Sequence, residues 1–175
     1  IGCGGVGLSC IQGAVLGGAG RIIAIDIIDN KLDWARKIGA TDILNANHTD
    51  IVQEVKELTN GGAEFTFEAI GNKNTCEQAF EMLAPGGTAT IVGDLPDGTI
   101  LAFDGPSFIK EKKIRGSAMG STTFRIDLPI YIRLYMQGRL KLDEMVSRKL
   151  KLEQINEAFQ YMLNGEVARS VIVFD

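Results

Sequence analysis

Cysteine, histidine and clustered positive charge are scarce in this sequence. Its 175 residues include three cysteines and one histidine. Cys3, Cys10 and Cys76 lack the C-x-x-C spacing of a zinc site or redox pair. That usage fits a reducing compartment, and a cytoplasmic chain is expected. Cys3 falls inside a glycine turn and Cys10 on a predicted helix, so both read as small packing residues rather than nucleophiles. His48 follows Asn45-Ala46-Asn47 in a polar loop and reads as a solvated residue rather than a catalytic base. The formal net charge is −4 with no basic cluster, which argues against nucleic acid and anionic membranes as partners. No apolar run is long enough to span a bilayer and no charged-then-apolar leader pattern is visible, so a soluble globular segment is expected.

Glycine, by contrast, is abundant at 21 residues, and its placement carries information. The chain opens on Ile1-Gly2-Cys3-Gly4-Gly5-Val6-Gly7. This is a G-x-G-x-x-G ahead of a helix-like run, with Asp26 closing an apolar strand about twenty residues on. In the dinucleotide-binding fingerprint the first glycine (Gly2) permits the tight turn, the second (Gly4) admits a pyrophosphate to the backbone, and the third (Gly7) lets helix and strand pack closely. Free N–H groups and the positive end of the helix dipole then face the phosphates, so no basic side chain is required there. A carboxylate at Asp26 can accept both hydroxyls of an adenosine ribose and repels a 2′-phosphate, which favours NAD over NADP.

The rest of the chain reads as a series of βα units. Residues 5–17 predict a helix with Val6, Ile11, Ala14 and Val15 at helical spacing, and 21–26 a buried parallel strand. Asp29 is expected to cap a helix ended by Gly39, followed by a short strand over 42–44. A helix over 50–58, a strand over 65–69, a helix over 74–83 stopped by Pro85-Gly86-Gly87, a strand over 88–92, a helix near 105–111 and a sixth strand over 112–117 complete the alternation. This specifies an α/β fold, a doubly wound parallel Rossmann sheet of order 3-2-1-4-5-6 with the ligand across the carboxyl ends of its strands. Those ends break into glycine at Glu68-Ala69-Ile70-Gly71, Val92-Gly93-Asp94 and Ser117-Ala118-Met119-Gly120, where a flat ring could approach the backbone. Beyond them, a helix over 125–137 interrupted early by Pro129, a strand within 140–152, a helix over 153–164 and a strand over 170–174 have no obvious partner in that sheet.

Gly2-Cys3-Gly4-Gly5-Val6-Gly7-Leu8-Ser9, Ile25-Asp26-Ile27, Lys37-Ile38-Gly39-Ala40-Thr41, Phe67-Glu68-Ala69-Ile70-Gly71 and Ile155-Asn156-Glu157-Ala158-Phe159 resemble successive motifs of one family. That family is the zinc-dependent alcohol dehydrogenases of the medium-chain dehydrogenase/reductase superfamily. The resemblance covers essentially the whole chain. It implies an NAD-binding domain over 1–120, its first strand cut to one residue, and a C-terminal return segment over 121–175 that completes a catalytic domain. It also implies that Gly5 and Val6 offer N–H groups to the pyrophosphate, Asp26 and Lys31 hold the ribose, and Ile27 flanks the adenine. Val92, Ser117 and Met119 would meet the nicotinamide carboxamide through backbone atoms, beside Ala69, Ile70 and Gly93. Arg169 would reach the phosphates, which its guanidinium can pair bidentately.

In that family the zinc ligands precede the glycine fingerprint, where this chain begins. The implied enzyme transfers hydride between an alcohol or aldehyde and NAD with zinc polarising the oxygen. This chain alone is expected to bind no zinc and turn over no alcohol, and no catalytic residue is assigned to it. Other readings are a polyol dehydrogenase or zinc-free quinone reductase of the same superfamily, or a non-catalytic NAD-binding or assembly module. A methyltransferase would share the glycine turn, but six βα units with glycine breaks argue against it. Finally, Thr99-Ile100-Leu101-Ala102-Phe103 reads as a short apolar edge strand, and the resemblance implies a homodimer or homotetramer through it.

Overall fold

The computed structural model describes residues 1–174, and Asp175, the end of the expected return segment, lies outside them. Helix α1 spans Gly5–Leu16, strand β1 Ile23–Asp26, α2 Asp29–Ile38, β2 Asp42–Asn45 and α3 Ile51–Leu58. Strand β3 covers Ala63–Glu68, α4 Lys73–Glu81, β4 Leu83–Ile91, α5 Pro106–Ile109 and β5 Lys113–Gly116. The tail holds α6 Phe124–Met136, β6 Val146–Leu150, α7 Ile155–Leu163 and β7 Arg169–Ile172. Helices alternate with strands, and β3–β4, β4–β5 and β6–β7 all pair parallel, so the α/β class is the expected one.

The sheet differs from expectation in being three separate ladders, β1–β2, β3–β4–β5 and β6–β7. Between β1 and β3 run Ile1 and Gly2, which form no strand. Gly2 N–H donates to the Ile25 carbonyl at 2.8 Å and Ala69 N–H donates to the Ile1 carbonyl at 2.9 Å. Two residues bond on both sides but are too few to make a ladder. The tail strands, left without a partner above, pair with each other.

Four local expectations are corrected. Asp29 is the first residue of α2 rather than its cap; Ile28 occupies the N-cap position with no side-chain cap bond. Strand β4 begins at Leu83, five residues early, because Gly62 brings the start of β3 against the backbone of Leu83 and Ala84. The register then jumps from Ala63↔Leu83 to Phe65↔Thr88, so Pro85-Gly86-Gly87 is looped out of the strand instead of ending the helix before it. Helix α6 runs through Pro129 unbroken, although that ring removes one backbone donor. Residues 99–103 form no ladder. Ala102 N–H donates to the Glu77 carboxylate at 2.7 Å, Lys73 Nζ donates to the Ile100 carbonyl, and the Phe103 ring sits 4.7 Å from that of Phe80. The segment is drawn onto α4.

Two compact units emerge. The first comprises residues 1–2, 25–27 and 44–122. Its apolar centre is Phe80, Leu83 and Ala89, with Phe103 and Ile114 packed against it. The second comprises 3–24, 28–43 and 123–175 and buries Leu8, Ile11, Leu32, Ile38 and Met145 in one cluster. A polar group joins that core. The Gln12 side chain accepts from Lys141 N–H at 2.6 Å and donates to the Lys141 carbonyl at 3.3 Å. Both halves of its amide are therefore used, which removes most of the cost of burying it.

Helix α3 shows how a local signal fixes an end. The Asp50 carboxylate accepts from Val52 and Gln53 N–H, two donors that the helix cannot pair internally. Asp50→Ala is expected to lower the unfolding free energy by about 1 kcal/mol, read from urea titrations with an unchanged m-value.

Candidate cofactor site

In the second unit the fingerprint glycines become the start of α1. Gly4 is the N-cap with extended backbone and no side-chain cap, so the first-turn N–H groups keep their anion-binding character. Gly4 faces open space, Val6 is half exposed and Gly7 is buried. At Gly5 a Cβ would meet the Ala168 carbonyl at 3.3 Å and Arg169 Nε at 3.4 Å. The Arg169 side chain thus lies across the beginning of the helix, exposed, with no carboxylate partner among the described residues. Lys31 lies elsewhere, against the turn after α7. A Cβ on Gly165 would sit 3.3 Å from Lys31 Cε, and that glycine has φ +69°.

The first unit holds the remaining expected residues. Gly2 has φ +88°, and a Cβ there would reach Ile70 Cγ1 at 2.6 Å, so the tight-turn role assigned to it has a visible steric cause. Asp26 is mostly buried, and its Oδ1 accepts from Ile27 N–H at 2.8 Å. Ile27 is exposed, and its carbonyl accepts from Asn45 Nδ2 at 3.4 Å and Asn47 Nδ2 at 3.1 Å. Ala69 and Ile70 meet Gly2, while Val92 and Gly93 both donate to the Glu68 carbonyl, at 2.8 and 3.0 Å. Ser117 N–H donates to the Ile91 carbonyl at 2.9 Å, and its hydroxyl lies 3.1 Å from that of Ser121. Met119 is 92% exposed with φ +51°.

Three features escaped sequence reading. The Asn45 and Asn47 amides hold Ile27, although they read only as loop polarity. Glu68 is fully buried and bonded to the turn that follows it. Its signal was present as a strand-terminal acid with glycine three residues later and threonine seven later, a pattern with no meaning until the turn is seen. Gln12, a polar residue that the sequence reading did not single out, is buried.

Residues 5–135 match the family described as zinc-binding dehydrogenase. The chain belongs to that family. This zinc-binding dehydrogenase chain is 36% identical over 180 residues to the S-(hydroxymethyl)glutathione dehydrogenase of Saccharomyces cerevisiae, covering 99% of the chain and 47% of the relative. Among solved structures it is similar to benzyl alcohol dehydrogenase from Acinetobacter calcoaceticus, with TM-score 0.96, 32% identity, and 99% and 48% of the two chains covered. It is also similar to a zinc-binding dehydrogenase of Sinorhizobium meliloti solved bound to NADP, with TM-score 0.81, 26% identity, and 89% and 45% covered. The chain spans about half the length of the curated relatives it matches. The resemblance and the fold class expected from the motifs are therefore both found.

Cys3 and Cys76 are buried, and burial pushes the Cys10 thiol up. The Cys76 thiol is pushed up to about 12, first by burial and then by the charge and hydrogen bond of Glu68. A thiol whose ordinary value is 9.0 therefore stays protonated in the fold to about pH 12, whereas in the unfolded chain it ionises near pH 9. Its contribution to stability is complete below pH 9 and is lost as pH rises toward 12. Iodoacetamide at about pH 8 should label Cys76 in urea and spare it in the native protein, and Cys76→Ala should flatten the alkaline fall in stability.

Proposed function

We propose that this chain is the NAD-binding portion of an alcohol dehydrogenase, whose whole enzyme transfers hydride between an alcohol or aldehyde and NAD. The observation that carries the reading is the uncapped start of α1 with the Arg169 guanidinium lying across Gly5. An uncapped helix N-terminus and a planar cation with no ion-pair partner among the described residues suit a pyrophosphate, one through N–H groups and the other through a bidentate pair. Asp26, closing β1, is the ribose acceptor, Lys31 assists it, and Ile27 flanks the adenine. Ala69, Ile70, Val92, Gly93, Ser117 and Met119 line the nicotinamide half. NAD, when bound, supplies the hydride acceptor. The names of the relatives support the substrate class, since one acts on S-(hydroxymethyl)glutathione and another on benzyl alcohol.

No three His, Cys, Asp or Glu side chains gather as a metal site among the described residues. No described helix is long and apolar enough to cross a membrane. We assign residues 1–120 to the cofactor domain and 121–175 to the segment that returns to the catalytic domain.

NAD preference is the part of the reading most open to test, because a neighbour of similar fold was solved with NADP. Ile27 and Ile28 follow Asp26, and no arginine stands beside it in sequence to neutralise a 2′-phosphate. In calorimetry the wild type should bind NAD more tightly than NADP. Asp26→Ala should weaken NAD binding by about one to two orders of magnitude, the loss of one charge-assisted hydrogen bond. Equal titration by the two cofactors would reject the preference.

Assembly through residues 99–103 also belongs to the proposal. Ile100 is 79% exposed and the segment has backbone groups left over from α4, so a two-fold mate could pair with it. Leu101→Lys should convert dimers to monomers in light scattering; a variant that remains dimeric at low concentration counts against this interface.

A further inference from the structure

Among the described residues Glu68 is the one charged side chain that is completely buried. Its side chain is 0% exposed, at the end of β3. Oε1 accepts from Ile70 N–H at 3.0 Å, Gly71 N–H at 3.0 Å and the Thr75 hydroxyl at 2.8 Å. Oε2 accepts from Gly71 N–H at 3.2 Å, and the main-chain carbonyl takes the N–H groups of Val92 and Gly93. One residue thus binds two turns, its carboxylate the turn after β3 and its backbone the turn after β4.

Space is controlled as tightly as bonding. A Cβ on Gly93 would reach Glu68 Oε2 at 2.6 Å and collide with Gly71 N, and a Cβ on Gly71, at φ +83°, would collide with the Asp94 carbonyl. A buried carboxylate is expensive, and an apolar side chain of like size would fill the same space at lower cost. Here the charge is met by N–H and O–H donors, with the Cys76 thiol as a further hydrogen-bond partner. What the carboxylate adds over an apolar filler is direction. Ile70 and Gly71 N–H are turned inward and the Val92 N–H is committed to Glu68.

We propose that Glu68 is a positioning residue for the nicotinamide half of the cofactor, holding Ile70, Gly71 and Val92 in the one arrangement that receives the ring. The inference rests on the dinucleotide reading above. It goes further in separating the two ends of the cofactor, because the hydrogen bonds of Glu68 among the described residues reach the turns after β3 and β4 and none of the residues assigned to ribose or pyrophosphate.

The test titrates the 175-residue chain with NADH and with ADP-ribose, which lacks the nicotinamide, in calorimetry. The wild type should bind NADH more tightly. Glu68→Ala should weaken NADH about tenfold while ADP-ribose stays within about twofold, and Glu68→Gln, which keeps an Oε1 acceptor, should recover most of the loss. Thr75→Val removes one donor and should give a smaller NADH-selective loss, readable even where Glu68→Ala does not fold. Equal weakening of both ligands, no weakening, or equal wild-type affinity for the two would overturn the proposal. Failure of the wild type to bind either ligand would instead reject the dinucleotide reading, and this inference with it.

Discussion

The absence of a Cβ where two chain segments cross is the constraint on which this structure turns. Gly71 and Gly93 meet backbone to backbone, and any side chain on either would force the turns after β3 and β4 apart. Close approach exposes peptide groups to one another, so their N–H donors need acceptors that water cannot supply. Glu68 provides them. The desolvation of its carboxylate and the orphaned amides of the turns are two costs that cancel. Neither half would be stable alone. The same logic holds at Gly5, where the missing side chain leaves room for an arginine rather than for another backbone.

That second use of glycine changes how the fingerprint is read. The motif is commonly taken as space for phosphate, and Gly4 fits that reading because nothing lies near it. Gly5 is outside the three invariant positions of the pattern, yet it is pressed between the start of α1 and the last strand. Its small size ties the first residues of the chain to residues 168 and 169. A positive charge is thereby brought to a helix end whose own polarity is already positive, an unfavourable placement unless an anion is shared between them.

Much of this was legible from local chemistry. Glycine spacing, strand-terminal acids and apolar periodicity located all seven helices and the strands between them to within a few residues, since each depends on residues close in sequence. The errors have a common origin in distant contacts. Pro85-Gly86-Gly87 has every mark of a stop, but Gly62, more than twenty positions earlier, starts the β3–β4 ladder before it. Residues 99–103 alternate like an edge strand, but Glu77 and Phe80 draw them onto α4. Asp29 is a sound cap residue displaced by one position, because Ile28 already has the extended backbone that a cap requires. Site residues divide in the same way. Gly2, Gly4 and Asp26 announce themselves, whereas Glu68 acquires meaning only from a turn that closes around it.

Gln12 has a consequence in time. It lies in α1, near the beginning of the chain, and its two partners on Lys141 lie 129 residues later. During synthesis α1 can form as soon as its own residues emerge, but its amide has no permanent partner until residue 141 has left the ribosome. Until then the helix carries a polar group on the face that will become core. The pairing of β6 with β7 closes over a far shorter loop. The β6–β7 pair therefore closes locally, whereas the completion of α1, and with it of the glycine turn, waits on residue 141.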